Sequence, residues 1–286
     1  MSIPKPDFKI LKNKKQNDEL IKNGYIVLPI LDEEEVSFFK KLYKKWHPKP
    51  PDEFYKSYFS QNKEYKHEVE DAIISHFNPK LKKYFEDNIT CGGMFVVKPK
   101  GEKGHLNPHQ DWSLVDETKN WSLNAWCPLI NAEGENGNMQ MLPGSHLFMK
   151  SERGGGTPLL YDHLCDVITP NLIDIPMKAG EAIFFFHGIV HCSTDNTKNE
   201  ERVCVGMSLI QKDAQLYYFS LKENETQLNK FKVDSDFYIN FVSNQDMLFE
   251  KAMYIGKSNI PILMFTKDEL LEHIQKFNTE VKLSYS

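Results

Sequence analysis

Arginine is almost missing from this chain: of 35 lysines and arginines, only Arg153 and Arg202 are arginine. A sequence that writes lysine by default has kept a guanidinium at two places, and both are worth following. Positive charge is not in excess either. Forty acidic residues leave a net charge of −5, which argues against a nucleic-acid binder held by phosphate contacts. The lysines come in short groups such as Lys12-Asn13-Lys14-Lys15 and Lys40-Lys41, as they do on solvated helix faces. The five cysteines (Cys91, Cys127, Cys165, Cys192, Cys204) form an odd set without a Cys-x-x-Cys pair, which suits neither a disulfide framework nor a zinc knuckle. No stretch approaches the roughly 18 apolar residues of a membrane span. Met1 to Phe8 holds two prolines and no apolar run, so it does not read as a secretory signal. The expected setting is a reducing cytoplasm, with a small molecule as partner and neither nucleic acid nor membrane.

What remains is an ordinary globular composition, 40% hydrophobic and 26% charged over 286 residues, enough for one large domain or two small ones. Residues 17–24 read as a short helix closed by Gly24, followed by the apolar strand Tyr25–Leu28. Asp32 with Glu35 three residues on has the form of a capping box. The helix behind it repeats Val36, Phe39, Leu42 or Tyr43, and Trp46, and His47-Pro48 stops it. Pro48–Lys63 lacks periodicity and reads as a long connection or a loop over a site. Two further helices are expected at 64–77 and 79–88, the second opened by Asn78 as N-cap and Pro79 at its first position.

After Cys91 the character changes to short strands between Gly/Pro turns. Strands are expected at 92–98, up to Trp112, at 121–129, 139–142, 172–176, 182–186, 190–193 and 203–211. The long connection 147–171, with Gly154-Gly155-Gly156, has the length of a lid or binding loop. Beyond residue 215 the pattern suggests mixed loops and helices near 246–254 and 267–277. No repeat or linker composition marks a boundary. The expectation is a single domain over 1–286: a mainly β chain with a double-stranded β-helix (jelly roll) core. Helices from about 1–90 and about 215–286 pack on it.

One short stretch, Asn107-Pro108-His109-Gln110-Asp111-Trp112, carries the chemistry. In an extended strand His109 and Asp111 point the same way. With a second histidine they form the two-His-one-carboxylate set that holds non-haem Fe(II) with open positions. Phe186-His187-Gly188-Ile189-Val190-His191-Cys192-Ser193 offers His187 and His191, four apart, and strand alternation cannot choose between them. Arg202 sits inside an apolar alternating strand. It is placed either to clamp a carboxylate with two parallel bonds or to pair with Glu200 or Glu201.

Taken in order, these pieces resemble the phytanoyl-CoA dioxygenase family of iron(II)- and 2-oxoglutarate-dependent oxygenases. The likeness runs from about Gly93 to Gln211, with a weaker echo at Asn23–Leu28. It is carried by Met94-Phe95-Val96-Val97-Lys98-Pro99, His109-Gln110-Asp111, Ala125-Trp126, Glu135-Asn136-Gly137-Asn138, Leu142-Pro143-Gly144-Ser145-His146, His191-Cys192-Ser193, Asn196 and Arg202. The resemblance implies that His109, Asp111 and His191 hold iron, and it selects His191 because only His191 has the serine and the arginine at the family's spacing. It implies that Arg202 and Ser193 bind the far carboxylate of 2-oxoglutarate, while Met94, Gln110 and Trp126 line the cosubstrate pocket. His187 and His146 are left as substrate-side or structural residues. The implied activity is hydroxylation of a small metabolite with O2, releasing succinate and CO2. The carboxylate at Asp111 favours that outcome, since related halogenases carry Gly or Ala there. The alternative is a metal-binding jelly roll that senses a small molecule without turnover. Tyr55, Tyr58, Phe59, Arg153, Tyr161, Asp162 and His163, in the two long loops, would suit a polar or zwitterionic substrate.

Overall fold

A computed structural model describes residues 7–101, 104–157, 162–240, 252–260 and 265–283. Its frame is a six-stranded antiparallel sheet built from β1 (Tyr25–Pro29), β2 (Tyr55–Lys56), β3 (Asn88–Lys98), β5 (Ser122–Pro128), β8 (Glu181–Phe186) and β10 (Arg202–Gln211), in the order β1-β8-β5-β10-β3-β2. A four-stranded sheet lies against it: β4 (Leu106–His109), β6 (Met139–Met141), β7 (Ile173–Ile175) and β9 (His191–Ser193), in the order β4-β9-β6-β7. Val96, Trp126, Ile183, Phe185 and Cys204 of the first sheet pack with Met139, Met141 and Ile175 of the second in one buried cluster. The chain therefore adopts the expected jelly roll.

The other face of the large sheet is covered by helices α1 (Lys14–Asn23), α2 (Glu33–Trp46) and α3 (Lys63–Tyr84). Leu20, Phe39, Ile73 and Phe77 meet Phe95, Leu123, Ala125, Phe184, Val205 and Met207 there. Strand alternation sorts the two faces. On β10, Val203, Val205, Met207 and Leu209 turn to the helices, which leaves Arg202, Cys204, Gly206 and Ser208 on the side of the second sheet. By the same rule β3 gives that side Met94, Val96 and Lys98, and β5 gives it Ser122, Asn124 and Trp126. Burial on both faces explains why Phe184-Phe185-Phe186 is continuously apolar.

Local signals largely hold. Asp32 accepts from the Glu35 amide at 2.9 Å, and the Glu35 carboxylate accepts from the Asp32 amide at 2.9 Å, so the capping box closes. Gly24 ends α1 at φ +91°, a left-handed conformation that costs other residues about 1–2 kcal/mol. A Cβ there would stand 2.5 Å from His146 Nδ1 and 2.8 Å from an Ile189 methyl. Gly24→Ala is therefore expected to lower the melting temperature by roughly 5 °C; an unchanged midpoint in scanning fluorimetry would contradict this account.

Three expectations are corrected. The two helices at 64–77 and 79–88 are one helix, α3, running through Pro79 and stopping at Tyr84, with β3 starting at Asn88. The stripe Val69, Ile73, Phe77 and Leu81 is buried on both sides of Pro79. Burying each of these side chains contributes about 1.5–3 kcal/mol, which together outweighs the roughly 3 kcal/mol disfavouring proline inside a helix. Asn78 accepts from Thr90 at 3.2 Å instead of capping. Beyond residue 215 the chain forms a third sheet, β11 (Leu216–Ser220), β12 (Asn229–Val233) and β13 (Met253–Lys257). Of the helix expected near 246–254, the part up to 251 lies outside the described residues and Met253 onward is strand; the later one is present as Lys267–Leu283. Finally, of the lid or binding loop expected over 147–171, the glycine run at 154–156 is a docked part of a cavity lining rather than a free lid. It docks on β11, with the Gly155 amide donating to Phe219 O at 3.0 Å and Gly154 so close that a Cβ would collide with that same carbonyl.

Candidate metal centre and adjoining pocket

β4 and β9 pair antiparallel with His109 directly opposite His191, so their rings lie 4.3 Å apart between centroids. Asp111 follows two residues on. Ligand atoms of His109, Asp111 and His191 all fall within 4.8 Å of one another. His109 Nε2 is 4.0 Å from Asp111 Oδ1, and His191 Nε2 is 3.5 Å from Asp111 Oδ2. Each histidine turns Nδ1 to a backbone carbonyl two residues earlier: His109 to Asn107 O at 2.7 Å and His191 to Ile189 O at 3.1 Å. That fixes Nδ1 as the donor and leaves both Nε2 lone pairs facing the carboxylate, the arrangement a metal requires. Burial and the neighbouring His109 push His191 down to about 4, which keeps the imidazole neutral and fit to ligate. Burial works against ionisation of Asp111, but His191 and His109 outweigh it and hold the carboxyl well below its usual range.

The ambiguity between His187 and His191 resolves through backbone. His187 lies in the turn between β8 and β9 rather than on the strand, so alternation never applied to it. It is buried, with Nδ1 3.0 Å from Ser122 Oγ and Nε2 3.3 Å from Ser208 Oγ. His146 is structural. It stacks on Phe186 at 4.7 Å, meets Ile21 O at 3.0 Å, and burial pushes it down to about 3.

Arg153 lines the cavity, as its loop position suggested, but its guanidinium is engaged by protein groups. Its Nε donates to Asp111 O at 2.7 Å, and its two Nη groups grip Glu117 at 2.6 and 3.1 Å. Ser113 N closes the same turn on Arg153 O at 3.0 Å. One of the two arginines thus staples the segment that carries Asp111. Among the other loop residues, Tyr58 lines the cavity, Tyr55 packs against His47 and Phe59 is exposed. His163 sits 3.3 Å from Phe265 O; Tyr161 and the Asp162 side chain lie outside the described residues.

Arg202 is 1% exposed and lies over Trp126, with Cζ 4.8 Å from the ring centroid. Pairing with Glu201 is ruled out, because that carboxylate is taken on the helix side by Tyr43 at 2.6 Å and Lys44 at 2.9 Å. Arg202 Nε and Nη1 and the nearby Ser193 Oγ are buried without a hydrogen-bond partner. The Cys204 thiol beside the guanidinium is only a weak acceptor. A second cation, missed from the sequence, pairs with Arg202 across the register: Lys98. It is fully buried and donates to Ser193 O at 3.2 Å and to Thr194 O. Burial and Arg202 press it down to about 7. Its face was readable, since Lys98 lies four residues after Met94 on one strand. The buried guanidinium, with Lys98 beside it and an unpaired hydroxyl, forms a receptor for an anion such as a carboxylate.

A cavity of about 600 Å³ is lined by His109 and Asp111 of the triad, with Met94, Gln110, Trp112, Asn124 and Lys56 in its walls; of the residues expected to bind the cosubstrate, Met94 and Gln110 line it, whereas Ser193, Trp126 and Arg202 do not. Gln110 is anchored there by donating to Met149 O at 2.9 Å and to Gly188 O. All five cysteines are free, and among the described residues no helix is long and apolar enough to cross a membrane.

Comparison with known proteins agrees with this geometry. The model of the family described as phytanoyl-CoA dioxygenase (PhyH) matches residues 22–204, a span that contains the triad, Ser193 and Arg202. A phytanoyl-CoA dioxygenase of Arabidopsis thaliana is 26% identical over 128 residues, covering 44% of this chain and 45% of that protein. The phytanoyl-CoA dioxygenase domain-containing protein 1 of Danio rerio is 30% identical over 117 residues, covering 38% and 40%. The matched stretches thus span under half the length of both curated relatives. Among solved structures, the α-ketoglutarate-dependent carbocyclase SnoK from nogalamycin biosynthesis superposes with a TM-score of 0.50 at 22% identity, over 71% of this chain and 86% of that one. EctD from S. alaskensis, solved with 2-oxoglutarate and 5-hydroxyectoine, gives 0.52 at 18% identity, over 78% and 84%. These likenesses establish the shared fold.

Proposed function

The chain belongs to the phytanoyl-CoA dioxygenase family, and on that premise we propose that it is an Fe(II)- and 2-oxoglutarate-dependent dioxygenase that hydroxylates a small molecule. The observation that carries the reading is the juxtaposition of three converging ligand atoms with a buried guanidinium whose Nε and Nη1 have no hydrogen-bond partner. His109, Asp111 and His191 would hold the iron. The donor set fits, being two neutral imidazoles and one carboxylate, the set of non-haem Fe(II) sites. Iron with 2-oxoglutarate and O2 supplies the oxidation, in which the cosubstrate is converted to succinate and CO2.

The chain's own residues bind and orient. Arg202 and Ser193 offer the unpaired donors that a distal carboxylate needs, and Trp126 holds the guanidinium plane from one side. Lys98 fixes the Ser193–Thr194 backbone beside them. Arg153 keeps the Asp111 segment seated through its carbonyl. The cavity, at about 600 Å³, is of the size that takes a small molecule. Because Arg153 is committed to Glu117, the case for a zwitterionic substrate loses its cation on that loop.

The test is anaerobic mixing with Fe(II) and 2-oxoglutarate, followed by air. The expected result is a weak visible absorption band that needs both components, then slow succinate release that candidate substrates accelerate. Binding of both without any succinate under air would favour a sensor instead. Absence of the band and of binding would end the reading.

A further inference from the structure

The metal ligands differ in what orients them. His109 and His191 each lean on a backbone carbonyl, which no substitution removes. Asp111 leans on a side chain: Asn124 Nδ2 donates to its Oδ2 at 2.6 Å. Asn124 does not stand alone. It lies opposite Ser208 in the β5–β10 register, and Ser208 Oγ donates to Asn124 Oδ1 at 3.0 Å. Ser208 is in turn 3.3 Å from His187 Nε2, and His187 Nδ1 is 3.0 Å from Ser122 Oγ. Ser122, His187 and Ser208 are buried.

Donor and acceptor counting gives this chain one direction. An ionised Asp111 can only accept, so Asn124 must present its NH2 to it and its oxygen to Ser208. The single Ser208 proton is then spent on Asn124, and Ser208 must accept from His187 Nε2–H. On its other side the His187 ring meets Ser122 through both its hydroxyl and its backbone carbonyl. Each contact from His187 to the carboxylate then has one donor and one acceptor. Reversing any member would set two donors or two acceptors face to face.

We infer that Asn124, set by Ser208 and His187, is a positioning residue that fixes the rotation of the Asp111 carboxylate for the metal. The inference rests on the metal-centre reading above and deepens it. Asn124, His187 and Ser208 also line the cavity, so a substrate reaching its floor meets the groups that aim the carboxylate.

The experiment is a calorimetric titration of the full chain with Co(II) without oxygen, alongside the Co(II) visible spectrum and the melting temperature of the metal-free protein. Asn124→Leu keeps the volume and removes both hydrogen bonds; it is expected to weaken Co(II) binding by roughly 10- to 100-fold, the range for loss of a ligand's orienting partner, and to alter the visible band. Ser208→Ala should weaken binding less, in the same direction, and carries the test if Asn124→Leu does not fold. Variants that melt lower yet bind Co(II) as the parent does, with the parent's spectrum, would show a packing role only and overturn the inference while leaving the metal centre standing. A parent chain that takes up no Co(II) would overturn both.

Discussion

Asp111→Ala is expected to lose metal-dependent turnover, with Fe(II) or Co(II) affinity reduced by more than about 100-fold. The magnitude follows from a comparison. Removing a group that only orients a ligand costs about 10–100-fold, so removing the ligand itself must exceed that. The structure adds a second reason. With the carboxylate gone, the imidazoles of His109 and His191, 4.3 Å apart, face each other with nothing negative between them. Two neutral nitrogens chelate a divalent ion less tightly than three donors of which one is an anion. The measurement is metal uptake by calorimetry together with succinate release. A variant that retains parental metal affinity and turnover would remove Asp111 from the metal shell.

Arg202→Ala is expected to leave metal uptake intact and raise the 2-oxoglutarate requirement roughly ten- to hundred-fold. That range converts the loss of a charge-assisted pair, about 1.5–3 kcal/mol, into affinity. Burial supports the upper part of the range, since Arg202 is 1% exposed and its free donors have no water to turn to. Arg202→Lys should recover only part of the loss. A lysine brings the charge but neither the planar fork nor the stacking over Trp126. Titrating 2-oxoglutarate against the Fe(II)-loaded protein separates the outcomes: an unshifted midpoint in Arg202→Ala would place the anion elsewhere.

The readable parts of this molecule were those governed by local rules. Asp32 and Glu35 announce a helix start because a capping box is closed within four residues. His109 and Asp111 were paired by the two-residue repeat of a strand, and they do converge, although β4 ends at His109. The apolar alternation of β10 marks Arg202 as an intruder on the inner side. What escaped depended on neighbours far along the chain. Pro79 reads as a helix start, yet Ile73, Phe77 and Leu81 meet the sheet in one line, and that packing carries the helix through. His187 and His191 are indistinguishable by spacing, because nothing local says that a turn separates them. Arg153 stood out correctly as rare, but its role came from Glu117 and the Asp111 carbonyl, partners 36 and 42 residues away. Lys98 and Asn124 were ordinary strand residues until the register set one beside Arg202 and the other beside Asp111.

The Arg153 staple bears on how this scaffold could change its substrate. The wall of the cavity that includes residues 151–157 also grips the segment that carries Asp111, so the two cannot be exchanged separately. Grafting a foreign loop there without Arg153, or without Glu117 to receive it, would unseat a ligand while reshaping the wall. Tyr58 also lines the cavity and takes no part in that staple, so its side chain is the place to begin when altering specificity.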